Sequence, residues 1–413
     1  MLKNIKGMND ILPPDSSSWK ELEIFIISVI KNYGFQYIQT PILETTDLFK
    51  RTLGSETDIV SKEMYSFIDG LNNDNLSLRP EGTASVVRSS IQHSLTYDQS
   101  PKFFYSGPMF RHERPQKGRS RQFHQIGIEA IGLEYGFIDL ELIQIFNRIK
   151  QNLSLKDLKL KVNSIGDIES RNKYQKKLKD YFKDFLTDLD DESKNTIEKN
   201  PLRLLDSKKE HLLNIVKGVP KLFDSLNNKS KEGFDFILKQ LDFFNIDYVI
   251  DYKLVRGLDY YNDFVFEWVT QSLGSQSTVC AGGRYDGLFE VLGGKPTKAC
   301  GFAIGLERLF ELAKLEDRLI KFNNNNNIYL VFEELNTQLI EIVEKIRDYG
   351  FCVLLDKSGG KFQKQFKRAN NLNFKYAIII GKEELENNFL SIKNLVTGKQ
   401  VKSSIDKLSN EII

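Results

Sequence analysis

Cysteine is scarce in this 413-residue sequence: Cys280, Cys300 and Cys352 are its 3, far apart and without a CxxC pair. That excludes a disulfide framework and a cysteine zinc site, and it suits thiols kept in a reducing compartment. His93, His112, His124 and His211 are the 4 histidines, and no two have ligand spacing, so no structural metal is expected. Long apolar runs are missing as well. Residues 24–30, IFIISVI, fall far short of the roughly 20 residues of a membrane helix, and Glu21, Glu23 and Lys31 around them mark a soluble amphipathic helix. No basic-then-apolar leader opens the sequence, so a cytoplasmic protein with no membrane partner is expected. Charge of one sign is not in excess: 58 Lys and Arg against 56 Asp and Glu leave +2, so any nucleic-acid contact has to rest on local clusters.

What is present suffices for full cores, with 40% hydrophobic and 11% aromatic residues. The length suggests roughly two to three domains. Residues 16–33 read as a helix with Ser16 to Ser18 as N-cap candidates and Gly34 as its stop, followed by a strand broken at Pro41. Residues 76–91 read as strand, turn and helix, and residues 137–153 as a core helix. Between about 159 and 248 lysine and aspartate become dense, as in a solvated helical insertion. Asn323 to Asn327 are a low-complexity run with no apolar surface to bury, the mark of a flexible linker. Beyond it IYLVF, FCVLLD and YAIIIG are short strands separated by helical stretches, closed by a hairpin around Thr397 and Gly398.

The densest chemistry lies in residues 110–132, FRHERPQKGRSRQFHQIGIEAIG. Arg111, Arg114, Lys117, Arg119 and Arg121 repel one another, with Glu113 the acid among them, so the loop is costly unless an anion fills it. Phe123, Gln125, Gly127 and Glu129 then share one face of a strand, opposite His124, Ile126, Ile128 and Ala130. A ring, an amide and a carboxylate therefore point one way beside an anion-seeking loop. Glu129, between Ile128 and Ala130, needs a partner. His124, on the opposite face, reads as a packed, hydrogen-bonded histidine, and neither it nor His112 is counted as catalytic.

FRHERP followed by RQFHQIGIE resembles the second signature motif of class II aminoacyl-tRNA synthetases, in the form found in histidyl-tRNA synthetases. KGMNDILPP at residues 6–14, LRPEGTA at 78–84, LVRGLDYYN at 254–262, AGGRYDGL at 281–288 and GFAIGLERL at 301–309 resemble that family in the expected order. The resemblance implies an α+β fold: an antiparallel sheet core flanked by helices in a catalytic domain of residues 1–322. It also implies a helical insertion at about 165–245, near the acceptor stem of tRNA, and, past the 323–327 linker, an α/β anticodon-binding domain of residues 328–413. It implies ligation of L-histidine to tRNA(His) through a histidyl-adenylate, with ATP and Mg²⁺, by a homodimer built on the helix, strand and Pro41 of the first motif. An edge strand is the plainer reading of Pro41.

Carried onto this sequence, the resemblance gives Arg111 and Arg256 catalytic roles at the α-phosphate. Glu113 and Phe123 hold the adenine, and Arg119 and Arg308 the terminal phosphate. Glu129 and Tyr261 grip the two imidazole nitrogens, an arrangement suited to a ring with a nitrogen at each end. Glu81, Thr83 and Gln125 hold the α-amino group, and Tyr260 and Tyr285 line the pocket. Plainer readings stand beside these: Glu81 as a helix cap, Tyr261 and Tyr285 as core aromatics, AGGRYDGL as a tight turn, Arg256 as a structural arginine. Lys361, Lys364, Lys367 and Arg368 form a basic stripe for RNA or a solvated face. Cys300 adds an oxidation-sensitive thiol near the ATP end. A catalytically silent histidine sensor of histidine biosynthesis is the alternative, and paralogues of that kind lack the anticodon domain that this chain carries.

Overall fold

The computed structural model describes residues 2–54, 57–116, 118–206, 210–274, 277–320, 327–356 and 359–412. The chain divides into two units, Met1–Ile320 and Lys321–Ile413. In the first, alternating apolar residues build an eight-stranded sheet, in spatial order Gln36–Tyr37, Lys102–Phe110, Gln122–Ile131, Ala299–Gly305, Thr278–Arg284, Asn262–Val269, Lys159–Ser164 and Tyr248–Ile250. The two outermost pairs are parallel and the interior ladders antiparallel. The fold is α+β, as the resemblance implied.

One face of this sheet is packed. Ile126, Ile128, Phe264, Phe266, Trp268, Phe302 and Ile304 meet Leu22 and Ile26 of helix Asp15–Lys31, Ile143 and Phe146 of helix Phe137–Asn152 and Leu309 of helix Leu306–Leu315. Each such side chain contributes about 1.5–3 kcal/mol when fully buried. The same period-two pattern forces Gln125, Glu129 and Val265 to the other face, which is where the cavity lies.

Helix Asp15–Lys31 starts one residue before the expected serines. Pro14 is its N-cap with no side-chain hydrogen bond, Asp15 supplies the favourable first-turn charge, and Ser16 to Ser18 lie inside the helix. The proline at 41 does split its segment, into the sheet-edge strand Gln36–Tyr37 and strand Leu43–Thr45 of a separate three-stranded sheet.

The lysine-rich region is less uniform than its composition suggests. Its flanks, Lys159–Ser164 and Tyr248–Ile250, are strands of the main sheet. Its last helix, Asn228–Phe243, sinks Phe234, Ile237 and Leu241 into the main core. Tyr174, Leu178 and Phe182 of helix Ile168–Lys183 instead join Leu204, Leu212 and Leu222. That second cluster runs on into Phe103, Tyr105, Tyr261 and Val265 on the cavity side of the main sheet, so apolar residues beneath the charged faces tie the region to the sheet.

The second unit is a five-stranded sheet, Cys352–Leu355, Asn327–Phe332, Tyr376–Ile380, Leu390–Asn394 and Gln400–Ser403 in order, with the first two ladders parallel. The expected hairpin closes between its last two strands, where Gly398 takes φ +77°. Of the asparagine run, Asn327 opens a strand, and Asn323 to Asn326 lie outside the described residues.

Candidate active site

Three neighbouring strands in register make the floor of a cavity of about 690 Å³. Glu129 faces Phe103 on one side and Gly301 on the other, and Gly127 faces Tyr105 and Ala303. The glycines are there for space. A Cβ on Gly301 would sit 2.1 Å from Glu129 Oε2, and one on Gly127 would sit 2.2 Å from Tyr105 Cζ. Gly282 and Gly283 of the AGGR segment are not in a turn. They lie within strand Thr278–Arg284, where a Cβ would meet the Gly301 carbonyl oxygen at 2.2 Å and the Phe264 carbonyl oxygen at 2.5 Å.

At the carboxylate end, Glu129 is 1% exposed and accepts hydrogen bonds from Thr83 Oγ1 at 2.7 Å and from the Tyr285 hydroxyl. Burial pushes its carboxyl up to about 8, against the pull of Tyr285 and Thr83. Glu81 accepts the backbone N–H groups of Thr83 at 2.6 Å and Ala84 at 2.9 Å, so it does cap helix Thr83–Gln92. It also lines the cavity, where each oxygen keeps a second lone pair. Burial holds the phenols of Tyr105, Tyr260 and Tyr285 well above their ordinary value, so they stay hydrogen-bond donors. The rings of Tyr260 and Tyr261 pack 4.6 Å apart at the wall. Gln125 Oε1 is buried with no hydrogen-bond partner among the described residues, and such an atom calls for an explanation in a bound group.

At the other end the arginines converge. Arg111 is braced by its Nε on the Pro80 carbonyl at 2.9 Å, with its guanidinium 5.3 Å from the Phe123 ring centroid. Arg119 pairs with Glu113. Arg308 is aimed by Nε on the Gly118 carbonyl at 2.9 Å and Nη1 on the Thr278 carbonyl at 2.7 Å. Burial, and then the positive field of Arg119, pull Arg308 below its ordinary value. That repulsion is relieved by an anion between them. Arg256 pairs with Glu267, which also accepts from Thr278 Oγ1 at 3.0 Å, and its guanidinium lies 5.5 Å from the Tyr261 ring centroid.

Thr83, Glu81, Gln125, Glu129, Tyr260, Tyr261 and Tyr285 therefore share one cavity with Arg111, Glu113, Arg119, Phe123, Arg256 and Arg308. Lys117, of the arginine loop, lies outside the described residues. Sequence reasoning missed Tyr105, whose strand read only as half of a hairpin, and Glu267, whose place on the polar face with Tyr261 was the available signal. It also missed Glu307, which accepts from the His124 backbone N–H at 2.9 Å and meets its Nδ1 at 2.9 Å. Cys300 corrects an expectation: it is wholly buried, it pairs with Arg284 across the ladder, and burial pushes its thiol well up, which disfavours the oxidisable thiolate.

In the second unit Lys361, Lys364 and Lys367 are exposed on and beside helix Phe362–Asn371. Arg368 departs from that stripe. Its Nε and Nη2 each lie 2.5 Å from an oxygen of Asp356, a buried carboxylate that also accepts from the Tyr329 hydroxyl at 2.6 Å. Among the described residues no three His, Cys, Asp or Glu side chains gather as a metal-binding group, and no helix is long and apolar enough to cross a membrane.

Comparison with known proteins gives a consistent family. The histidyl-tRNA synthetase family model matches residues 7–309, and the anticodon binding domain model matches residues 320–413. The chain is 46% identical over 411 residues to a histidine–tRNA ligase of Nitrosomonas eutropha, covering 99% of this chain and 98% of that protein. It is 47% identical over 401 residues to one of Legionella pneumophila, covering 96% and 94%. The crystal structure of apo S. aureus histidyl-tRNA synthetase superposes with a TM-score of 0.83 at 34% identity, covering 100% of both chains.

Proposed function

Because this chain belongs to the histidyl-tRNA synthetase family, we propose a division of labour within its cavity for that family's reaction. The chain ligates L-histidine to tRNA(His) with ATP. The histidine carboxylate oxygen attacks the α-phosphorus, the bond to the β-phosphate breaks, and pyrophosphate leaves. The 3′-terminal adenosine hydroxyl of the tRNA then attacks the acyl carbon, AMP leaves, and a phosphate oxygen takes the hydroxyl proton.

Two anions meet in the first step, so fixed positive charge at the reacting phosphate is the main requirement. Arg111 and Arg256 supply it at the α-phosphate, while Arg119 and Arg308 hold the terminal phosphate. Phe123 stacks on the adenine ring, with Glu113 beside it. Glu129, protonated at neutral pH, offers its proton to one imidazole nitrogen, and Tyr261 meets the other. Glu81, Thr83 and the partnerless Gln125 Oε1 hold the α-amino group. That buried acceptor, in one cavity and on one strand face with a carboxyl pushed up to about 8, is the observation that carries the reading. Mg²⁺ enters with ATP as part of the substrate, since Glu113 and Glu267, two of the cavity's carboxylates, are already paired with Arg119 and Arg256.

Residues 1–322 form the catalytic domain with its insertion at about 165–245, and residues 328–413 the anticodon-binding domain, joined by 323–327. Lys361, Lys364 and Lys367 contact RNA backbone, and Arg368 does so only through its exposed edge. The protein works as a cytoplasmic homodimer. Supporting the dimer, Tyr37, Ile42, Leu43 and Ile68 remain exposed on the sheet edge and the small three-stranded sheet. The sensor alternative gains nothing, since the anticodon-domain match is what such a paralogue would lack.

The test is histidine-dependent exchange of labelled pyrophosphate into ATP, without tRNA. Exchange with histidine alone among the amino acids, lost in Arg256→Ala, is the expected result. Histidine binding without exchange overturns the assignment.

A further inference from the structure

Residues 5–9, which lead into the KGMNDILPP segment and form its start, have no part in the division of labour above, yet they are built against the base of the arginine loop. Met8 N–H donates to the Ile5 carbonyl at 2.9 Å, which closes a turn with Gly7 at its third position and φ +85°. That place in a turn calls for glycine. The Gly7 carbonyl accepts the Arg121 N–H at 2.7 Å and the Gln122 N–H at 3.3 Å. Asn9 Nδ2 donates to Ser120 Oγ at 3.3 Å. Contact is close enough that a Cβ on Gly7 would lie 2.8 Å from Pro115 Cγ and 3.0 Å from Arg121 Cγ.

The residue so held is a node. Arg111 N–H donates to the Arg121 carbonyl at 2.9 Å, Arg121 Nε donates to the Glu113 carbonyl at 3.1 Å, and Glu113 pairs with Arg119. Gly7 is thus one contact from Arg121 and two from both Arg111 and Glu113. The loop's own side chains drive it apart by like charge, so an uncharged backbone tether at its base keeps the arginines gathered before an anion arrives.

We propose that Gly7 is a positioning residue for the triphosphate: residues 5–9 strap the arginine loop so that Arg111 and Arg119 are preset for ATP. This rests on the function proposed above. Pyrophosphate exchange is to be measured in the full chain for wild type, Gly7→Ala and Asn9→Ala, with thermal melts alongside. Gly7→Ala is expected to raise the KM for ATP by about tenfold, within the roughly hundredfold cost of an ångström's misplacement, while the KM for histidine stays within about twofold. Asn9→Ala, which removes only the Ser120 bond, moves the ATP value the same way by less. An unchanged ATP KM in a folded Gly7→Ala overturns the proposal, and so does a parallel rise of both KM values, which marks a merely structural role. If Gly7→Ala does not fold, an unchanged ATP KM in Asn9→Ala overturns it. Wild type without exchange overturns the function reading instead, and equilibrium ATP binding to the same variants then decides the strap.

Discussion

Titrating Glu129 tests the carboxylate end of the cavity most directly. Burial holds its carboxyl up at about 8, so below that pH the empty site carries a proton there. Free histidine has a neutral imidazole above its ordinary value of roughly 6.5. The bound carboxyl–imidazole pair needs one proton, which Glu129 already holds throughout the interval between these two values. Above about 8 the site has lost it and binding must take one up, so histidine affinity falls roughly tenfold per pH unit. Glu129→Gln keeps the size and an N–H donor but cannot titrate. Its affinity should lose the Glu129 part of the alkaline fall, keeping only that of the histidine α-amino group, whose ordinary value is roughly 8 or above, and be weaker by about 1.5–3 kcal/mol, the worth of a hydrogen bond to a charged group, or a factor of about 10 to 150. Calorimetric titration with histidine from neutral to alkaline pH, in two buffers of different ionisation heat, reads both the affinity and the proton uptake. The stability of the free protein carries the same signature. The unfolded chain releases this proton near 4.5 and the native state keeps it to about 8. The native state therefore binds more protons in between, so its stability contribution is complete below 4.5 and is lost as pH rises to about 8. An alkaline loss of affinity as steep in Glu129→Gln as in the wild type refutes the placement of the proton.

Asp139→Asn takes from the wholly buried Arg284 the carboxylate now 2.8 Å away and leaves it Asp286 at 2.9 Å, and should cost about 1–3 kcal/mol in urea unfolding. Gly301→Ala forces a methyl group onto Glu129 Oε2 and the Ile128 carbonyl oxygen, and should abolish histidine-dependent exchange beyond the roughly 1–3 kcal/mol lost to overpacking. Gly287→Ala, with nothing within 4 Å of its added Cβ, is the control and should exchange normally.

Period-two alternation in residues 122–131 and 262–268 decided by itself which side chains enter the core and which face the cavity, because a strand offers only two sides. Loop charge in residues 111–121 likewise pointed to an anion site, as the function proposed here requires, since repulsion is read from composition alone. Proline at 41 and the spacing of apolar runs after residue 327 marked breaks and strands from local chemistry.

Other features depended on who meets whom across the chain. Gly282 and Gly283 look like turn residues in a string and are strand residues in space, because the neighbouring backbones leave no room for a Cβ. Arg368 sits in a basic stripe by sequence and is turned to Asp356, 12 positions away, by the fold. Helix Asn228–Phe243 shares its lysines with the insertion but gives Phe234, Ile237 and Leu241 to the main core, a choice made by the packing partner and not by composition. Glu267 opposite Arg256 and Gly7 against Arg121 are pairings no local pattern announces. Local sequence decides what each segment wants to bury or expose, and tertiary structure alone decides which distant group satisfies it, because burial and charge pairing are settled between segments rather than within them.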